Sequence, residues 1–95
     1  MIRLNCFVKL NDGADKAAVV DNAKKLVEAT LANDKGCKGY DFFASATRPD
    51  VFMFCETWES EEALAAHMKQ PHFTTHVAAI EAQAVMSLEK MELVK

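Results

Sequence analysis

The sequence predicts an α+β fold of the split βαβ kind, with elements in the order β-α-β-β-α-β. Three observations carry that prediction. Apolar residues alternate along the first ten positions, change to a three-to-four spacing in the next twenty, and return to alternation in two adjacent runs. The link between those two runs, Thr47-Arg48-Pro49-Asp50, is short enough to require an antiparallel hairpin. A serine-capped helix interrupted by a proline then leads into one last alternating run.

The first strand covers residues 2–10. Ile2, Leu4, Cys6, Val8 and Leu10 share one face, and Arg3, Asn5, Phe7 and Lys9 share the other. Asn11-Asp12-Gly13 ends it with turn chemistry. From about Ala14 to Asn33 the spacing of Val20, Ala23, Val27 and Leu31 predicts a helix, with Val19, Leu26 and Thr30 widening the apolar stripe. Asp12 or Asp15 can cap its amides, and Gly36 can take the left-handed conformation that closes its far end.

Cys37 to Ser45 and Val51 to Trp58 form the hairpin. Phe52, Phe54, Glu56 and Trp58 share one face, opposite Val51, Met53, Cys55 and Thr57. Ser60 opens the second helix, with Glu61 and Glu62 where the helix dipole favours negative charge. Pro71 predicts a break near Lys69-Gln70 and a restart running to about Gln83. Val85 to Val94 closes the chain as a strand of mixed alternation. The whole is a ferredoxin-like, four-stranded antiparallel sheet with helices on one face, forming a single domain over residues 1–95. Apolar residues on both faces of the first and third strands predict a second subunit over the open side.

A formal net charge of −3, with basic residues scattered, argues against a nucleic-acid partner and against electrostatic membrane anchoring. No apolar stretch approaches a membrane span, and the N-terminus lacks the charged and apolar regions of a signal peptide. Cys6, Cys37 and Cys55 form no CxxC pair, which predicts reduced, buried thiols in a cytoplasmic protein. No glycine-rich phosphate loop or dinucleotide fingerprint is present, so chemistry here is expected to need no cofactor held by a known motif.

All three histidines and the only tryptophan fall between Phe52 and Ile80. His67 shares the apolar stripe with Ala63, Leu64 and Met68, so it points inward. It is either a core-edge histidine bonded to a backbone carbonyl or to Glu56, or a proton-handling group at a pocket. Glu56 sits among aromatics, which is costly unless it is paired. Its alternatives are a path to solvent, an ion pair with Arg3, or a pair with His67. His72 and His76 lie four apart on one helix face; without further close-spaced ligands, no metal site is expected. His72 is read as a cap or a site-lining residue. Asn5 can orient a ligand if its strand face looks at the helices, and otherwise lies at the dimer face.

Glu56-x-Trp58, Ser60-x-Glu62-Ala63-Leu64-x-x-His67 and Pro71-His72-Phe73, with Gly36-Cys37-x-x-Tyr40 upstream, resemble the antibiotic biosynthesis monooxygenase family. The resemblance covers essentially the whole chain. It implies a dimeric α/β barrel with a pocket between sheet and helices in each subunit. It also implies a choice among cofactor-independent monooxygenases of quinols or polycyclic phenols, haem-degrading enzymes, and an isomerase of a small phosphorylated signal. The haem branch matches poorly: it carries Trp where this chain has His67, and its iron-ligating histidine falls on Val77 rather than His76. The quinol reading implies His67, with Glu56, as the base. Trp58, Phe54 and Phe73 would be apolar walls, with Asn5, His72 and His76 as further substrate contacts, O2 and a small aromatic as partners, and no cofactor. The isomerase reading needs a phosphate-binding cation, for which Arg3 and Arg48 are the only arginines. A non-catalytic dimeric binding protein is the remaining alternative.

Overall fold

A computed structural model describes residues 1–95. Its elements are β1 (Ile2–Leu10), α1 (Lys16–Asn33), β2 (Cys37–Ala44), β3 (Val51–Trp58), α2 (Glu61–His67), α3 (Pro71–Glu81) and β4 (Ala84–Glu92). The four strands form one antiparallel sheet in the order β2-β3-β1-β4. The second helix of the predicted order is two helices, because Pro71 has no amide hydrogen to continue α2 and instead starts α3 at its first position.

The local signals work as expected at the N-caps, whereas α1 closes on Asp34 in an extended conformation rather than on Gly36. Asp15 accepts a hydrogen bond from the Ala18 amide at the start of α1, and Ser60 accepts one from the Ala63 amide at the start of α2. Gly36 follows α1 with φ of 82°. A Cβ there would stand 2.6 Å from the Ala63 Cβ, so glycine is needed both for the backbone conformation and for the close approach of this loop to α2.

Two expectations shift. The face of α1 that packs on the sheet is Val19, Ala23, Leu26 and Thr30, while Leu31 is exposed. Both sets obey helical spacing, and the axis direction set by packing against β2 and α3 selects between them. β4 ends at Glu92, two residues before its predicted end; the Leu93 amide still donates to the Met1 carbonyl, and Val94 projects free of the sheet.

The core lies between the sheet and the helices. Leu4, Cys6, Val8, Phe52, Phe54 and Trp58 from the sheet meet Val19, Ala23, Leu26, Leu64 and Ile80 from the helices. The opposite face of the sheet carries Phe7 and Phe43, 49% and 56% exposed, with no element of this chain over them. All three cysteines are free, with Cys6 and Cys55 buried and Cys37 half-buried. No helix is long and apolar enough to cross a membrane.

Candidate active site

Between the helix-facing side of the sheet and α1, α2 and α3 lies a cavity of about 280 Å3. Its walls are mostly apolar, including Leu4, Leu26, Phe54, Leu64, Phe73 and Val77. The groups able to handle protons that interrupt them are the buried Tyr40, Glu56 and His67, the Cys6 thiol and the exposed Glu81. Strand alternation puts Glu56 there, since it pairs with Leu4 on β1 and Tyr40 on β2 and all three face the helices. His67 arrives on the inner stripe of α2, one turn after Leu64.

His67 is 1% exposed. Its Nδ1 lies 2.5 Å from Asp34 Oδ2, and its Nε2 has no hydrogen-bond partner. The ring packs against Trp58, Tyr40 and Phe73, with centroids 4.6, 5.3 and 5.0 Å away. Asp34 directly follows α1, where its own amide donates to the Thr30 carbonyl. The same carboxylate meets a second imidazole: His72 Nε2 stands 3.1 Å from each oxygen, but only Oδ2 is in hydrogen-bonding alignment. Burial pulls the His67 ring below its ordinary value, the hydrogen bond and charge of Asp34 push it back up, and His72 adds to the lowering.

Glu56 is 4% exposed and engages neither His67 nor Arg3. Its Oε1 accepts the Trp58 indole N–H at 3.0 Å. Arg3 instead donates to Asn5 and Thr57 on the far side of the sheet, which alternation puts out of reach of Glu56. Burial raises the Glu56 carboxyl to about 7, against the opposing pull of the indole hydrogen bond. Tyr40 is also pushed well above its ordinary value, first by burial and then by the Glu56 charge. At neutral pH the cavity therefore holds a largely neutral imidazole beside a carboxyl poised between its two states.

The expected site residues divide. Glu56, His67, Phe54 and Phe73 line the one cavity. Trp58 lies behind it, wholly buried, supporting the His67 ring and capping Glu56. His72 neither caps its helix nor lines the cavity, because its ring turns to Asp34. His76 points to α1, where Nδ1 lies 2.9 Å from Asn22 Oδ1, while the next residue, Val77, lines the cavity. One position on a helix turns a side chain by about 100°, which accounts for that difference. Asn5 sits on the opposite face of the sheet, beside Arg3, so of its two alternatives the structure places it away from the helices and out of the cavity that His67 and Glu56 share.

Asp34 carries no local mark of its role, since Asn33-Asp34-Lys35-Gly36 reads only as the end of a helix. Its carboxylate and the two imidazoles are of metal-binding types, and their ligand atoms lie within 4.8 Å of one another. The His67–Asp34 contact, at 2.5 Å, is shorter than an ordinary N–H···O hydrogen bond and shorter still than two ligands of one ion would stand. Two ligands of a tetrahedral ion at about 2.0 Å would stand about 3.3 Å apart. The cluster is built as a hydrogen-bonded chain.

A larger hollow, about 510 Å3, lies on the open face of the sheet and is lined by Arg3, Phe7, Phe43 and Arg48 among others. It is shallow and brings no acid and base together, so the smaller enclosed cavity is the better candidate for chemistry.

Residues 1–79 match the family model of antibiotic biosynthesis monooxygenases. Among solved structures, a conserved protein of unknown function and possible oxidoreductase from Bacteroides thetaiotaomicron VPI-5482 is 48% identical, with a TM-score of 0.89 over 97% of this chain and 96% of that one. A protein named as an antibiotic biosynthesis monooxygenase is 27% identical, with a TM-score of 0.86 over the full length of both chains. A Caulobacter crescentus CB15 protein provisionally given the same name is 23% identical, with a TM-score of 0.90 over 99% of this chain and 90% of that one; at that identity the likeness shows the fold alone. No curated protein matches the sequence.

Proposed function

The chain belongs to the antibiotic biosynthesis monooxygenase family, and from that premise we propose that it oxidises a small phenol or hydroquinone with O2, without a cofactor, in the cavity between sheet and helices. The observation that carries this reading is that His67, whose Nε2 is free of partners, and the buried Glu56 line one mostly apolar cavity. A neutral imidazole held by a carboxylate is suited to taking a phenolic proton, and Asp34 would stabilise the imidazolium that forms. The resulting electron-rich anion supplies the electrons. One oxygen atom of O2 ends as a carbonyl on the ring and the other leaves as water, the substrate losing two hydrogens. Glu56, protonated, is the donor for the reduced oxygen.

Cavity size narrows the substrate. A cavity of about 150 Å3 accommodates benzene, so about 280 Å3 admits one substituted ring or two fused rings. A four-ring polycyclic phenol would need the helices to move. The isomerase alternative has less support, because no lysine or arginine lines the cavity to hold a phosphate, and Arg3 and Arg48 line the hollow on the other face. The uncovered apolar face of the sheet supports a homodimer, and three free thiols suit a reducing cytoplasm.

The test is oxygen uptake by the purified protein with single-ring hydroquinones, naphthalene diols and a tetracyclic anthrone. Uptake above autoxidation is expected with the first two, and His67→Ala should remove most of it. Binding of these ligands without uptake would transfer the chain to the non-catalytic reading.

A further inference from the structure

A base enclosed in an apolar chamber faces a difficulty once it has taken a proton, because a charge trapped there is costly and blocks the next turnover. His67 is enclosed in this way. Its one hydrogen-bond partner is Asp34, whose side chain is 2% exposed, and the partner beyond Asp34 is His72, whose side chain is 13% exposed. The three groups come from different elements: α2, the turn after α1, and the first turn of α3. Holding His67 in place needs only one acceptor at Nδ1. A second imidazole on the same carboxylate oxygen, at 3.1 Å and nearer to solvent, is surplus to that need.

We propose that Asp34 and His72 form a proton relay that connects the cavity face of His67 to bulk water. The inference rests on the reading of His67 as the cavity base. In the outward direction the substrate O–H proton is taken by His67 Nε2, while the Nδ1 proton moves to Asp34 Oδ2. His72, protonated at both ring nitrogens and donating from Nε2 to the Asp34 carboxylate, then releases its Nδ1 proton to water. One proton enters and one leaves. The net charge of the three residues is unchanged: the Asp34 carboxylate and the His72 imidazolium of the starting state both end neutral, and the His67 proton has moved from Nδ1 to Nε2. Flow in the reverse direction returns a proton to the cavity when the oxygen product is released. Asp34 and His72 touch no substrate in this scheme; Asp34 is a positioning and relay residue, and His72 is the exit.

The discriminating variant is His72→Gln, whose amide N–H can still bond to Asp34 and hold the network but cannot pass a proton. With 15N-labelled protein, exchange of the His67 ring N–H with water is followed by NMR in wild type, His72→Gln and His72→Ala. The relay predicts exchange slowed by about tenfold or more in His72→Gln, on the scale of general acid–base effects. It also predicts partial recovery in His72→Ala on adding free imidazole. Wild-type exchange in a folded His72→Gln protein would overturn the relay, and so would an absence of imidazole rescue in a folded His72→Ala protein. Because this readout needs no turnover, it is separable from the monooxygenase reading: slowed exchange without oxygen uptake would keep the relay and remove the reaction.

Discussion

Asp34, on the turn that ends α1, holds the Nδ1 of His67 on α2 across a separation of 33 positions in the chain. The ring is thereby fixed with Nε2 unpartnered at the cavity, an orientation that neither residue could impose alone. Four expectations follow from this arrangement and its surroundings.

Asp34→Asn keeps the size of the side chain but removes its charge, and its amide can turn a donor toward Nδ1 and so favour the wrong tautomer. The expected result is a loss of about 10²–10⁴-fold in kcat/KM with a retained fold. Asp34→Ala leaves the buried His67 and the half-buried His72 without their acceptor and should also cost about 1–3 kcal/mol of stability. Steady-state kinetics and urea titration of the two variants check this, and an Asp34→Asn enzyme of normal rate would dismiss the carboxylate from the reaction.

Glu56 and His67 pull the pH dependence of stability in opposite directions. The carboxyl is raised from its ordinary 4.5 to about 7, so its contribution is fully present below about pH 4.5 and is lost as pH rises through about 7. That change is worth roughly 3 kcal/mol. His67 is lowered, so its contribution is present above its ordinary 6.5 and is lost as pH falls below it. Glu56→Gln should therefore flatten the fall in stability between about pH 5 and pH 8. Denaturant midpoints measured across that range decide the matter, and an unchanged slope would mean that the carboxyl is not desolvated in solution.

Gly36→Ala combines a left-handed backbone with a Cβ clash at 2.6 Å against Ala63. The backbone term alone is about 1–2 kcal/mol. The displaced loop also carries Asp34, so the variant should lose activity along with stability. Gly13 has a similar φ of 78° but open space around it, so Gly13→Ala should pay only the backbone term. Thermal melts of the two variants side by side separate strain from crowding.

Phe7 and Phe43 are the large exposed aromatics on the uncovered sheet face. If a second copy covers that face, Phe7→Asp with Phe43→Asp buries carboxylates at the interface and should shift the protein to monomers. Sedimentation equilibrium of the double variant against wild type is the measurement. An unchanged mass would direct the search for the partner elsewhere.

Several features were legible in the residues themselves. The order of strands and helices, the hairpin, the break at Pro71, the caps at Asp15 and Ser60, and the inward face of His67 all follow from signals lying within a few positions of one another. The presence of Glu56 and His67 on one side of the sheet was legible for the same reason, since strand and helix periods assign faces. The choice of partners was not legible. Glu56 could have met His67 or Arg3 and meets Trp58; His72 could have capped its helix and meets Asp34.

Asn5 shows where the boundary falls. Alternation placed it with Phe7, but nothing local says which side of a strand the helices will cover, and the packed layer put the two on the open face. Sequence alone determined the elements, their order and the periodic faces, because these depend on backbone sterics, capping and spacing over short stretches. Only the tertiary structure decided which face is the inside, how large the cavity is, and that Asp34 joins two histidines. Those outcomes depend on how layers separated by dozens of residues settle against one another, where close packing and the cost of an unpaired buried group make the final selection.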